Sequence, residues 1–80
     1  MGRTYNIKSQ TGVADCDAAD TMAGSLFTSP CDAARNFVGL HHPGYEFLGS
    51  VRYEAPYLHR GEAVNHQTRM GLVVWVQEVA

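Results

Sequence analysis

The sequence predicts an α+β fold of two layers, in which an antiparallel sheet of three or four strands carries one short helix on one face. Three stretches of the chain, residues 4–9, 45–54 and 69–79, alternate side chains with the period of two that is typical of strands. A single clear helix signal lies between the first and the second of them. The 80 residues can hold one small hydrophobic core, so we expect a single domain over residues 1–80.

The first strand is predicted at residues 4–9, where Tyr5 and Ile7 lie on one side and polar residues on the other. Residues 10–20 are small and polar and predict a loop. Residues 21–28 suit either a helical turn or a short strand, and we favour the short strand. The number of strands in the sheet depends on this segment.

The helix is predicted to begin at Ser29, because a serine N-cap is followed there by proline at the first helical position. Asp32 lies in the first turn, where a negative charge interacts favourably with the helix dipole. Apolar residues recur at helical spacing through Phe37 and Val38, and Gly39 is a typical C-terminal stop. A helix of about ten residues is marginal alone in water, so we expect it to pack on the sheet.

Two longer strands follow the helix. Residues 45–54 place an apolar set on one face, which predicts a half-buried strand. Residues 69–79 form the most apolar stretch and carry apolar side chains on both faces, as expected for a central strand or for a strand whose outer face is covered. The fourteen residues 55–68 between them predict either a long functional loop or an inward extension of both strands to a turn near residues 59–61.

Composition and charge exclude several classes of protein. With 45% hydrophobic and 18% charged residues, the chain is too apolar for a disordered tail and too interrupted for a membrane span. Six basic and eight acidic residues give a net charge of −2, which disfavours generic binding to nucleic acid. The first residues lack the apolar run of a signal peptide, so we expect a cytoplasmic protein whose cysteines, Cys16 and Cys31, are reduced.

No motif predicts a metal site, a cofactor or a catalytic centre. Structural zinc ligands come as closely spaced pairs, whereas Cys16 and Cys31 stand fifteen positions apart and His41 and His42 are adjacent. The acidic segment 15–20 lacks the glycine and the final glutamate of a calcium loop. Cys31 would become a nucleophile beside a histidine, but the sequence places none there. We therefore expect no enzymatic activity and no small-molecule substrate.

The candidate partner-binding residues fall into two groups. The acidic group, which would meet a basic partner, comprises Asp15, Asp17 and Asp20. The cationic and aromatic group, rich in the residue types that dominate interfaces, comprises Arg52, Tyr57, Arg60 and Trp75. Trp75 forms a contact surface with Arg52 in one register of the last strand and belongs to the core in the other, and the sequence leaves both open.

The capped helix at residues 29–39 and the strands at 45–55 and 71–79 give a chain that resembles small phage-encoded anti-CRISPR proteins, which inhibit type I CRISPR-Cas systems. The resemblance implies a non-enzymatic inhibitor that binds a CRISPR surveillance complex, or its recruited nuclease, and blocks DNA binding or cleavage. In that setting the acidic segment 15–20 would pair with basic residues that normally hold phosphate.

Two other functions remain open. One is a small nucleic-acid-binding module, which would use residues on the outer face of the sheet, namely Arg52, Arg60, Arg69 and Trp75. Its affinity for oligonucleotides would fall steeply as salt rises, unlike that of a protein inhibitor. The other is an assembly subunit of phage origin, which would associate with itself through a hydrophobic sheet face.

Overall fold

A computed structural model describes residues 4–12, 16–23 and 29–79 of the chain. These residues form one helix and five strands. In chain order the elements are β1 (Thr4–Gln10), β2 (Ala18–Ala23), α1 (Pro30–His41), β3 (Tyr45–Ala55), β4 (Leu58–Asn65) and β5 (Gly71–Val79). The strands form one antiparallel sheet in the order β2-β1-β5-β4-β3, so β5 is central and β2 and β3 are the edges.

The hydrophobic core lies between the helix and one face of the sheet. Every second side chain along β1 and β5 is buried there, namely Tyr5, Ile7, Ser9, Leu72, Val74 and Val76. The helix contributes Ala33, Ala34, Phe37 and Val38. Full burial of one large apolar side chain contributes about 1.5–3 kcal/mol. The packing of α1 on this face therefore stabilises a helix that is too short to be stable alone.

The helix begins where the sequence predicts and ends two residues later. Ser29 is the N-cap, and its Oγ accepts a hydrogen bond from the backbone N–H of Asp32 at 3.2 Å. At the other end, the backbone N–H of His42 donates to the carbonyl of Val38 at 2.9 Å. Pro43 then prevents another turn, because it disfavours helical backbone at the residue before it. The end of α1 brings two adjacent histidines to the sheet.

The segment between β3 and β5 contains a strand of its own, so the prediction of three or four strands is corrected to five. Neither predicted arrangement holds, because β3 ends at Ala55 with a turn at Pro56 and Tyr57 instead of residues 59–61, and the last strand begins only at Gly71. The buried positions of β4 are Gly61 and Ala63, which give almost no apolar alternation. The usual sequence signal of a strand is therefore weak here.

Small residues in β4 make room for large ones in β3. A Cβ on Gly61 would lie 2.8 Å from Cε1 of Phe47 and 3.1 Å from Cγ1 of Val51. Phe47 pairs with Ala63 and Val51 with Gly61, so the register shifts between them. Gly49, with a φ of 91°, lies within this irregular stretch and keeps both side chains on the core side.

The remaining boundaries differ modestly from the predictions. The short strand that the sequence favours within 21–28 exists as β2, but it begins at Ala18, inside the predicted loop, and residues 24–28 lie outside the described residues. The last strand begins at Gly71, two residues after the predicted start. No helix in the described ranges has the length and apolarity needed to cross a bilayer.

Candidate functional site

The face of the sheet opposite the helix, which we call the open face, carries the candidate site. None of the described helices or strands covers it. Its central row crosses four strands in register and consists of Lys8, Trp75, Arg60 and Arg52. The alternation of buried and solvent-facing residues along the strands places all four on the side away from Phe37 and the rest of the core. The structure thus places Trp75 on the surface, resolving the two registers that the sequence left open.

The charges of this row are distributed unevenly. Arg60 lies between two carboxylates, with Nη1 3.7 Å from Glu54 and Nη2 3.5 Å from Glu62. The ammonium of Lys8 lies 5.8 Å from the centroid of the Trp75 ring, in a cation–π arrangement. Among the described residues Lys8 has no carboxylate partner. Among the described residues, Lys8 therefore keeps a positive charge that no carboxylate neutralises, whereas the charges around Arg60 largely neutralise each other.

A shallow groove of about 770 Å³ lies over β2, β1 and β5, and we call it the Trp75 groove. Its solvent-facing side chains include Asn6, Lys8, Gln10, Thr21, Trp75 and Gln77. Asp20 also borders it, but its carboxylate accepts hydrogen bonds from the Thr21 backbone N–H at 2.8 Å and pairs with the His41 ring at 3.0 Å. The groove thus offers an aromatic surface, a cation and several amides.

Two of these amides are held in fixed orientations. The hydroxyl of Thr21 donates to Oδ1 of Asn6 at 2.9 Å, and Nε2 of Gln77 donates to the carbonyl of Tyr57 at 3.2 Å. Asn6 and Gln77 are direct cross-strand partners. The Asn6 Nδ2 donor and the Gln77 Oε1 acceptor have no hydrogen-bond partner among the described residues.

The predicted cationic and aromatic group is brought together in part. Arg52, Arg60 and Trp75 share the central row of the open face, and Trp75 lies next to Arg60 with Arg52 one strand farther away. Tyr57 lies at the end of the sheet, in the β3–β4 turn, with 67% of its surface exposed. Its carbonyl, which accepts from Gln77, contributes to the groove through the backbone.

The predicted acidic group lies elsewhere. Asp20 pairs with Ile7 in the β1–β2 ladder, so its side chain lies on the helix side of the sheet, where the hydrogen bond to His41 lowers its pKa. Asp17 is exposed at the start of β2, and its backbone N–H donates to the carbonyl of Ser9. Asp15 lies outside the described residues. The two described acids are therefore not part of the central row.

Sequence reasoning missed most of the solvent-facing residues of the groove, among them Asn6, Lys8 and Gln77. The alternation in β1 already separates Asn6 and Lys8 from the buried Tyr5. What the sequence does not give is the strand order, and only the pairing of β1 with β5 places Lys8 beside Trp75 and Asn6 beside Gln77. The cationic side of the site therefore follows from the fold and not from a local motif.

A serine and a histidine also meet on the covered face. Oγ of Ser9 lies 2.6 Å from Nε2 of His42, and burial lowers the pKa of this imidazole, against the attraction of Asp17, which raises it. Only 1% of Ser9 is exposed, so a substrate has no access to its hydroxyl. Cys31, the nucleophile that the sequence suggests, donates instead to the carbonyl of Gly49. Within the described ranges no three histidine, cysteine or acidic side chains converge as metal ligands.

Comparisons with known proteins give no assignment. The sequence matches no protein-family model and no curated protein, and the structure matches no solved structure. Any function must therefore be argued from the open face and its chemistry.

Proposed function

We propose that this protein is a non-enzymatic binding protein that docks the open face of its sheet onto a larger protein complex. The observation that carries the proposal is Trp75, a large aromatic side chain that lies outside the core between Lys8 and Arg60. Tryptophan and arginine are enriched among the residues that dominate interface energies. A core of ten buried hydrophobic residues exists without it, so packing does not account for its position.

The distribution of charge favours a protein over nucleic acid as the partner. Glu54 and Glu62 offset the charge of Arg60, and the chain as a whole has a net charge of −2. Nucleic-acid affinity depends on the number of phosphates that a protein neutralises. Mixed charges around an aromatic centre are instead typical of a protein interface with a polar rim.

In its most specific form, the proposal is that the partner is a type I CRISPR surveillance complex or its recruited nuclease, and that docking blocks DNA binding or cleavage. The resemblance to phage-encoded anti-CRISPR proteins supports this form. The acidic pair Asp17 and Asp20, at the other edge of the molecule from Arg52, would supply a second contact with basic residues of the complex. The protein would act in the host cytoplasm.

The decisive experiment is an assay of target-DNA binding and cleavage by purified type I complexes, with and without the protein. We expect inhibition by the native chain and its loss in Trp75→Ala. Tyr53→Ala is the matched control, because Tyr53 is an exposed aromatic residue that pairs with His59 away from the groove. Equal inhibition by Trp75→Ala would refute docking through the open face.

The acidic contact is tested separately by the charge reversals Asp17→Lys and Asp20→Lys. If they leave inhibition unchanged, the acidic pair has no part in docking, whatever the result at Trp75. Asp20→Lys also breaks the bond to His41, so its fold must be checked by circular dichroism. Arg35→Glu, on the exposed side of the helix, provides a charge reversal of equal size away from both groups.

A second candidate, a module that binds single-stranded nucleic acid, is favoured by the register of Lys8, Trp75, Arg60 and Arg52 in one row. Such a module would bind oligothymidylate with an affinity that falls as salt rises and that Trp75→Ala abolishes. The protein inhibitor predicts no appreciable binding in the same titration. Sedimentation at several concentrations tests the assembly subunit, which would associate with itself.

A further inference from the structure

The fixed amides of the Trp75 groove define a recognition geometry. Asn6 and Gln77 are opposite each other on adjacent strands, which places their Cβ atoms about 4.5–5.5 Å apart. Thr21 and the Tyr57 carbonyl hold one end of each amide, which leaves Nδ2 of Asn6 as a donor and Oε1 of Gln77 as an acceptor for a ligand. In an extended peptide the N–H and C=O of one residue point to the same side, so one residue can meet both groups.

The groove also discriminates by charge. Lys8 has no carboxylate partner among the described residues, and the carboxylate of Asp20 lies on the helix side of the sheet, where His41 and the Thr21 backbone engage it. A carboxylate brought to Lys8 would form a charge-assisted hydrogen bond, whereas a cation would be repelled. The Trp75 ring beside it offers apolar area to the neighbouring side chain.

The length of the groove suits an extended segment. Asn6, Lys8 and Gln10 line it along β1, and the four steps from residue 6 to residue 10 span about 13 Å at the rise of a strand. About four residues of an extended peptide fit this length. Lys8 and Trp75 face each other across β1 and β5, so a carboxylate and an apolar side chain close together in such a peptide would reach both.

We propose that the Trp75 groove binds an extended acidic segment of the partner protein, with a carboxylate on Lys8, an apolar side chain on Trp75 and the backbone C=O and N–H of one residue on Asn6 and Gln77. This inference rests on the proposed docking function and names the chemistry of the partner. It differs from the sequence-based hypothesis, in which the acids of this chain meet a basic partner.

Single-stranded nucleic acid would use the same aromatic ring, but the groove is less suited to it. A strand carries one phosphate for every base and needs several cations along its path. The groove provides Lys8, and the next cation of the row, Arg60, is held by Glu54 and Glu62. The charge arrangement therefore fits one or two carboxylates better than a run of phosphates.

The test is a selection of random nonapeptides displayed on phage against the immobilised full chain. We expect the enriched peptides to contain an acidic residue close to an apolar one and to disappear when Trp75→Ala is the target. Selection against Lys8→Glu should change the enriched charge from acidic to basic. Arg35→Glu is the matched control, because Arg35 lies on the exposed side of the helix.

Synthetic copies of the enriched peptides then give the affinities. We expect Lys8→Glu to weaken binding at least about tenfold, as for the loss of a charge-assisted hydrogen bond. Asn6→Asp keeps the bond from Thr21 but replaces the free donor by an acceptor, and should weaken binding by a similar factor. Circular dichroism and thermal melts establish that each variant is folded.

Three results would overturn the inference: no enrichment over the Trp75→Ala target, enrichment without acidic residues, or enriched charge that Lys8→Glu leaves unchanged. Binding of oligothymidylate that depends on Trp75 would overturn it in favour of nucleic acid. The two proposals fail separately. If Trp75→Ala loses inhibition of the CRISPR complex while Lys8→Glu and Asn6→Asp retain it, docking through the open face is supported and binding of an acidic segment is refuted.

Discussion

The two faces of the sheet use their side chains differently. On the covered face, Phe37 and the buried positions of β1 and β5 pack together, and the polar exceptions are few. On the open face, Trp75 is surrounded by Lys8, Arg60 and amides, in an arrangement that buries none of them completely. The covered face accounts for folding without help from the open one. Substitutions on the two faces should therefore affect different properties of the protein.

The largest expected effect is on the covered face. Phe37→Ala removes a ring that is completely buried between helix and sheet, and we expect it to lower the free energy of unfolding by about 3–5 kcal/mol. That is a large share of the stability of a domain this small. Denaturant unfolding measures it. Leu40→Ala, on the same helix but 65% exposed, is the control, and an equal loss in both would show that the helix does not pack as described.

A smaller effect on stability is expected at Gly61, where the covered face is tightly packed. Gly61→Ala places a methyl group 2.8 Å from the Phe47 ring, and we expect it to cost about 1–3 kcal/mol. Gly39→Ala is the matched control, since nothing lies within 4 Å of the added Cβ and an exposed helical site gains about 0.5–1 kcal/mol from alanine. Stabilisation by both substitutions would mean that Phe47 does not lie across β4.

Gly61 also shows what sequence reasoning can and cannot find. The covered face was predictable wherever its own side chains are large, as at Ile7 in β1 and Phe37 in the helix. It was not predictable in β4, because Phe47 from the neighbouring strand fills the space over Gly61 and Ala63. When large apolar side chains from a neighbouring strand cover a strand, its own sequence shows little hydrophobic alternation.

The candidate site was predictable to a lesser degree. Trp75 and Arg52 could be named from residue type, but whether Trp75 faces the core or solvent depends on which alternate set of β5 meets the helix. The contribution of Lys8 depends on strand order, since residues 8 and 75 become neighbours only when β1 pairs with β5. Register and strand order arise from the whole sheet, and no short segment encodes them.

At Trp75 we expect the reverse of the result at Phe37. Because Trp75 is only partly buried, Trp75→Ala should lower the free energy of unfolding by about 1 kcal/mol or less while abolishing docking. Unfolding and partner binding measured on the same preparation separate the two effects. A loss of stability as large as that of Phe37→Ala would show that Trp75 is part of the core. The proposed difference in role between the two faces would then be wrong.

The smallest effect concerns His42, where the covered face meets solvent. Burial lowers the pKa of His42 below its ordinary value of 6.5, although Asp17 opposes the shift and His41 adds to it. The unfolded chain then binds a proton more readily than the folded one. The contribution of neutral His42 to stability is therefore complete above pH 6.5 and is lost as the pH falls below it.

A nuclear magnetic resonance titration tests this directly, and we expect the His42 ring to titrate below pH 6.5. Asp17→Asn removes the charge that favours the imidazolium and should lower the midpoint further, whereas Glu62→Gln, on the open face, should leave it unchanged. When the pH is lowered from about 7 to about 5.5, a range that brackets the ordinary histidine pKa, His42→Gln should lose less stability than the native chain. A titration midpoint at or above the ordinary histidine pKa would mean that water reaches the Ser9–His42 contact and that His42 is not partly buried on the covered face.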